Sequence, residues 1–160
     1  MGDSAGGNLA TSICRQTLAA NHPMPRGQIL IYPVTDATMS QPSVETFANA
    51  PLLTRDHMNF YLDTYLSDRE NEQRDDRISP LLAADLSGLP PALVITATVD
   101  PLHDEGVAYA DALRDAGVEV DFIDIPNPIH GFFSLPFFTP GSTQALEATA
   151  KFIETHGAAK

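Results

Sequence analysis

The 160-residue chain has no tryptophan and a single cysteine, Cys14, and it is short of basic residues, with 9 Lys and Arg against 21 Asp and Glu. Each shortage excludes something. One cysteine cannot close an internal disulfide or build a zinc knuckle, and it suits a reducing compartment. Lying inside a helical apolar pattern, Cys14 reads as a small buried hydrophobe. A formal charge of -12 repels phosphate backbones, and no basic run supplies the footprint that nucleic-acid binding requires. No apolar stretch approaches the roughly 18 residues of a membrane-spanning helix, and no basic segment followed by an apolar one marks a secretory leader. The expectation is a soluble, cytoplasmic protein. GxGxxG, Walker and HExxH patterns are also missing, and the five histidines are scattered, so neither cofactor nor metal is expected.

What is present is a composition with 43% hydrophobic and 19% charged residues, enough to bury one core. Three β-rich runs stand out: QILIY (28–32), ALVITAT (92–98) and VEVDFIDI (118–125). The first two are almost continuously apolar, as strands covered on both faces are. Helical patterns lie between them. Residues 5–20 bring Leu9, Ile13 and Leu18 to one face, with Asn21 and Pro23 available to end the helix. Thr54 is a candidate N-cap for a helix to 66 that carries Met58, Tyr61, Leu62 and Tyr65. That aromatic stripe reads first as core packing, and otherwise as the lining of an acyl pocket. A helix over 104–116 opens on Asp104 and Glu105, favoured by the helix dipole, and stops at Gly117. The last, 142–156, carries Leu146, Ala150 and Ile153 inward, with Ser142 as a possible cap.

Alternating strands and helices predict an α/β fold with a mainly parallel sheet of about three strands flanked by helices. Residues 33–90 are too long for a plain crossover and are expected to drape over one end of the sheet. No linker divides the chain, so residues 1–160 read as a single domain.

The chemistry starts at GDSAG, residues 2–6, which fits G-x-S-x-G around Ser4. In such an elbow the glycines relieve collisions two positions either side of the serine, and the first N–H of the following helix, that of Ala5, becomes an oxyanion donor. The pentapeptide is short, and small-residue turns before helices are common. Its weight comes from Asp100 and His130, each just beyond the carboxyl end of a predicted strand. In a parallel sheet those ends share one edge, where Ser4, Asp100 and His130 can converge. His130 would take the Ser4 proton, and Asp100 would hold the imidazole in one tautomer. His103, Asp104 and Glu105 compete for the acid and base roles but read better as the opening of a helix. His22, His57 and His156 read as surface residues.

With GDSAGGNLA (2–10), LIYPVTD (30–36), LLTRDHMNFYLDTYL (52–66), ISPLLAADLSGLPPALVITATVDPLHDEG (78–106) and IHGFF (129–133) in this order, the sequence resembles the carboxyl-terminal half of a hormone-sensitive-lipase-like carboxylesterase, the bacterial family IV branch of the α/β-hydrolases. The resemblance implies a partial α/β-hydrolase fold with Ser4 as nucleophile, Asp100 as acid, His130 as base and the Ala5 N–H as oxyanion donor. It implies hydrolysis of short to medium acyl esters through an acyl-enzyme, without a cofactor, on a small-molecule partner. It also implies a truncated catalytic domain lacking the amino-terminal cap, the HGGG loop and the first five strands. The isolated chain is then expected to be a weak or inactive hydrolase. QILIY would become an exposed apolar edge near residues 28–32, open to self-association or docking.

His103 stands where relatives often have Arg, and Asn127 and Pro128 stand before the base where Gly is common at the first position. Asn tolerates a left-handed conformation. The alternative reading is a non-catalytic small-molecule-binding or complementing fragment on the same fold. Plant gibberellin receptors resemble this family and lose the histidine, so the presence of His130 favours catalysis.

Overall fold

The apolar runs alternate in a way that lets both faces of a sheet be covered. Leu30, Ala92 and Val94 point to one side, and Ile29, Ile31, Leu93 and Ile95 to the other. The computed structural model of the chain describes residues 1–135 and 140–157. It arranges them as a four-stranded sheet in the order β1-β2-β3-β4, with β1 at Gly2–Asp3, β2 at Gln28–Ile31, β3 at Ala92–Val99 and β4 at Val120–Ile129. All three pairings are parallel.

Helices cover both faces. Cys14 of α1 (Ala5–Ala19) and Tyr109, Ala110 and Leu113 of α5 (His103–Asp115) pack on one face. Ala145 and Phe152 of α6 (Pro140–Gly157) pack on the other with Phe132 and Ile125. The excursion between β2 and β3 holds three short helices, α2 (Pro42–Thr46), α3 (Arg55–Tyr65) and α4 (Arg69–Glu72). A third apolar cluster, built on Val44, Leu53, Met58 and Leu102, ties it down.

Several expectations are corrected here. The sheet has a fourth strand, the two-residue β1, which pairs Gly2 with Leu30 and Asp3 with Ile31. Residues 28–32 are therefore no exposed edge. All five are buried, and β1 forms the edge instead. On α1 the inward residues are Gly7, Thr11, Ser12 and Cys14, while Leu9 is 54% exposed, Ile13 59% and Leu18 40%. On α6, Leu146 and Ile153 are exposed and Ala145, Thr149 and Phe152 face the sheet. Periodicity identifies an apolar stripe; what lies opposite decides whether the stripe is covered.

α6 also begins at Pro140, so Ser142 is an interior residue whose hydroxyl donates to the Phe132 carbonyl at 2.8 Å. The stop signals behave as read. Asn21 follows α1 with φ 53°, and Gly117 follows α5 with φ 80°. Thr54 caps α3 by accepting the His57 N–H at 3.1 Å.

Candidate active site

Ser4 lies between β1 and α1 with φ 54° and ψ -124°, a backbone state that costs a non-glycine residue of order 1–3 kcal/mol. Several contacts hold it there. The Ser4 N–H donates to the Ile31 carbonyl at 2.9 Å, and the Ser4 carbonyl accepts from Gly7 N–H at 2.9 Å and Val34 N–H at 3.2 Å. A Cβ on Gly2 would stand 2.1 Å from the Gly6 carbonyl oxygen, so that glycine is obligatory. Gly6 is not: a Cβ there meets nothing nearer than Asp3 Oδ1 at 4.0 Å. The second close approach belongs to Gly7, where a Cβ would lie 2.8 Å from the Pro33 side chain. Ala5 opens α1, so its N–H is among those that an α-helix leaves without an internal partner.

Asp100 follows β3 and is fully buried, and His130 follows β4 and is almost so. Ser4 Oγ lies 2.9 Å from His130 Nε2, and His130 Nδ1 lies 2.7 Å from Asp100 Oδ2. The other Asp100 oxygen, Oδ1, accepts the Leu102 N–H at 2.9 Å. The three predicted residues thus form one hydrogen-bonded chain.

β4 runs four residues further than its apolar pattern, to Ile129, and carries His130 directly on its end. This extension holds an irregularity. Ala97 pairs with Ile125, yet Val99 pairs with Ile129. Asn127 takes φ 75° within it, the left-handed state that asparagine tolerates, and its N–H donates to Thr98 Oγ1 at 2.8 Å. Such a bulge re-aims the chain where it leaves the sheet. The Tyr32 ring then packs against the imidazole, with centroids 4.6 Å apart and planes at 56°.

Ser4 and His130 open onto a cavity of about 490 Å³, whose walls include Leu9, Leu53, Met58, Tyr61, Leu62 and Tyr65. The α3 aromatics are therefore not core: Tyr61 and Tyr65 are more than half exposed and line this cavity. Asp36 stands in the wall. Burial works to raise its pKa, but N–H and O–H donors from Ser40 and Thr38 together hold it below the usual carboxylate value.

The competing residues separate clearly. His103 opens α5 between two carboxylates, with Nδ1 2.7 Å from Asp104 and Nε2 3.3 Å from Asp124. Partial burial acts to lower its pKa, and the two carboxylates overcome this and raise it. Neither ring nitrogen faces Ser4. Asp104 accepts the Ser43 N–H at 2.8 Å and Glu105 is buried against the segment after β2, away from the imidazole of His130. His22 and His57 are exposed, and His156 stacks on Phe152. Cys14 is buried, and desolvation pushes its thiol pKa up. Among the described residues no cluster of His, Cys, Asp and Glu could hold a metal ion, and no helix is long and apolar enough to cross a membrane.

Tyr32 and Asp36 escaped sequence reasoning, and Glu105, read there as an acid opening a helix, is fully buried. The one signal for Glu105 is the glycine after it, a mark of close packing. A Cβ on Gly106 would lie 2.8 Å from the Thr96 methyl.

A profile of the family described as alpha/beta hydrolase fold matches residues 1–134. The carboxylic ester hydrolase LipN of Mycobacterium tuberculosis is 40% identical over 159 residues, an alignment covering 97% of this chain and 42% of LipN. The ethyl acetate hydrolase of Pseudomonas putida is 38% identical over 98% of this chain and 49% of its own length. Among solved structures, an ester hydrolase from the Lake Arreo metagenome superposes with TM-score 0.90 at 42% identity, covering 98% of this chain and 50% of its own. A thermostable carboxylesterase from a metagenomic library gives 0.91 at 37% identity, covering 97% and 53%. The chain spans about half the length of the relatives it matches.

Proposed function

The chain belongs to the alpha/beta hydrolase fold family, and from that premise we propose that it carries the reaction centre of a serine carboxylesterase acting on short to medium acyl esters. The observation that supports this best is the hydrogen-bonded series Ser4, His130, Asp100 at 2.9 and 2.7 Å, opening on an apolar cavity. The relatives' activities, including that of the ethyl acetate hydrolase, lend the substrate class.

In this reading His130 Nε2 takes the hydroxyl proton as Ser4 Oγ attacks the ester carbonyl carbon. Asp100, buried and held by Leu102, keeps the other ring nitrogen protonated and offsets the imidazolium charge. The developing oxyanion meets the Ala5 N–H at the helix start. Collapse of the tetrahedral intermediate expels the alcohol, which takes the proton from His130. Water activated by the same imidazole then releases the acid. The α3 wall, with Leu9 and Leu53, receives the acyl chain.

Residues 1–160 are read as part of one catalytic domain, working in the cytoplasm, where a lone buried Cys14 is at home. As a 160-residue chain its hydrolysis is feeble. Ala5 supplies one oxyanion donor, and each further donor in related chemistry is worth about 2.7–4 kcal/mol. A second reading, of a complementing fragment, has its own support. Leu9, Ile13 and Met1 are exposed beside the β1 edge and line a groove of about 500 Å³. A partner carrying further strands of the same fold would cover that surface.

The test is covalent labelling with a fluorophosphonate and a burst assay with p-nitrophenyl butyrate. Ser4→Ala is expected to abolish labelling, and equal labelling of the variant would remove Ser4 as nucleophile. Turnover matching that of intact relatives would overturn the claim of feeble hydrolysis.

A further inference from the structure

Glu105 is fully buried, and the reaction as drawn above does not use it. Its Oε1 accepts the Thr35 N–H at 2.6 Å and the Asp36 N–H at 3.1 Å, and its backbone carbonyl accepts the Thr35 hydroxyl at 2.9 Å. Among the described residues Oε2 has no hydrogen-bond partner. A helix-opening acid placed only to favour the dipole would sit in solvent, as Asp104 partly does. Burying a carboxyl with one oxygen unmatched is costly.

The three bonds act on one short segment. Val34, next to Thr35, donates its N–H to the Ser4 carbonyl, and its own carbonyl accepts Asn8 Nδ2 at 2.9 Å. Residues 34–36 are thus held to the nucleophile's turn on one side and to Glu105 on the other. Glu105 in turn belongs to the helix whose start carries the Asp100 loop, where Leu102 N–H binds Asp100 Oδ1 and His103 N–H binds the Asp100 carbonyl at 3.0 Å. One side chain therefore spans the gap between the turn holding Ser4 and the loop holding Asp100.

We infer that Glu105 is a positioning residue: as a hydrogen-bond acceptor it braces residues 34–36, and through them fixes Ser4 relative to Asp100 and His130. The inference rests on the esterase reading for its kinetic consequence. What the brace needs is an acceptor at the right reach; a negative charge is not required. Burial pushes the Glu105 pKa well up, the two amide N–H groups pull it down, and the nearby carboxylates of Asp36 and Asp100 add to the rise.

This inverts the usual ranking of conservative substitutions. Glu105→Gln keeps the acceptor at full length, and Glu105→Asp keeps the carboxyl but withdraws it by one methylene. Both variants are compared with the unmodified chain in two readouts, the rate of fluorophosphonate labelling at Ser4 and hydrogen exchange at the Thr35 and Asp36 amides. Glu105→Gln is expected to label within about threefold of the unmodified rate with its amides still protected, while Glu105→Asp labels about tenfold to a hundredfold more slowly with both amides deprotected, the scale of loss that a small misplacement of reacting groups produces. A role in charge would make Gln the worse variant, and a purely structural role would lower the melting temperature of either without slowing labelling; both outcomes overturn the inference. So does unchanged exchange in Glu105→Asp. Should the unmodified chain fail to label at all, the esterase reading falls, and the exchange data decide the brace independently.

Discussion

Helices α1 and α5 lie side by side on the same face of the sheet, joined by a 2.6 Å hydrogen bond between Thr11 and Tyr109, yet they bury opposite kinds of residue. α5 turns Tyr109, Ala110 and Leu113 inward with no exposure at all. α1 turns inward a glycine, a threonine, a serine and a cysteine, and leaves its larger aliphatic residues outside. The reason lies at the elbow. α1 must leave Ser4 so close to the segment after β2 that Gly7 meets Pro33, and only small side chains fit beneath it. The polar ones find partners there, Thr11 at Tyr109 and Ser12 at the Arg77 carbonyl. α5 has no such constraint beyond its first turn, and packs as an ordinary amphipathic helix.

The contrast can be broken from either side. The largest effect is expected for Leu113→Ala on α5, which opens a cavity in the core and should cost about 2–5 kcal/mol in urea unfolding. Next comes the buried acid at the start of that helix. The folded pKa of Glu105 lies above its unfolded value, so its contribution is fully present below the ordinary value of 4.5 and is lost as pH rises toward the folded pKa. Relative to Glu105→Gln, the unmodified chain should therefore lose stability as pH rises above that value, by at most about 1.4 kcal/mol per pH unit. A flat difference across pH 4 to 8 would show that Glu105 titrates normally. The smallest change belongs to α1. Ile13→Ser should alter stability by no more than about 0.5 kcal/mol in the same urea unfolding measurement; a loss like that of Leu113→Ala would mean that this face is covered after all.

The same contrast marks how far the sequence could be read. The meeting of Ser4, Asp100 and His130 was legible because each follows a strand, and a parallel sheet sends those ends to one edge. Asn21, Gly117 and Asn127 were legible as left-handed positions because side-chain sterics decide them locally. Glu105 was not: beside Asp104 it is one more acid at a helix start, and only the packing of α5 against residues 33–36 tells a solvated carboxyl from a buried one. The outward face of α6 was misjudged for a related reason, since periodicity carries no information about what stands opposite. β1 escaped because two residues hold no pattern, and α2 and α4 because single turns hold little more.

The contact between Ser4 and His130 joins residues 126 positions apart in the chain, whereas His130 and Asp100 are separated by only 30. Bringing distant segments together costs loop-closure entropy before any bond rewards it, and topologies rich in such contacts fold slowly. Asp100 and His130 can therefore meet while β3, α5 and β4 assemble as a local unit, and Ser4 joins them last. During refolding, reactivity at Ser4 should trail the recovery of helical circular dichroism, making this serine a clock for the final step of folding.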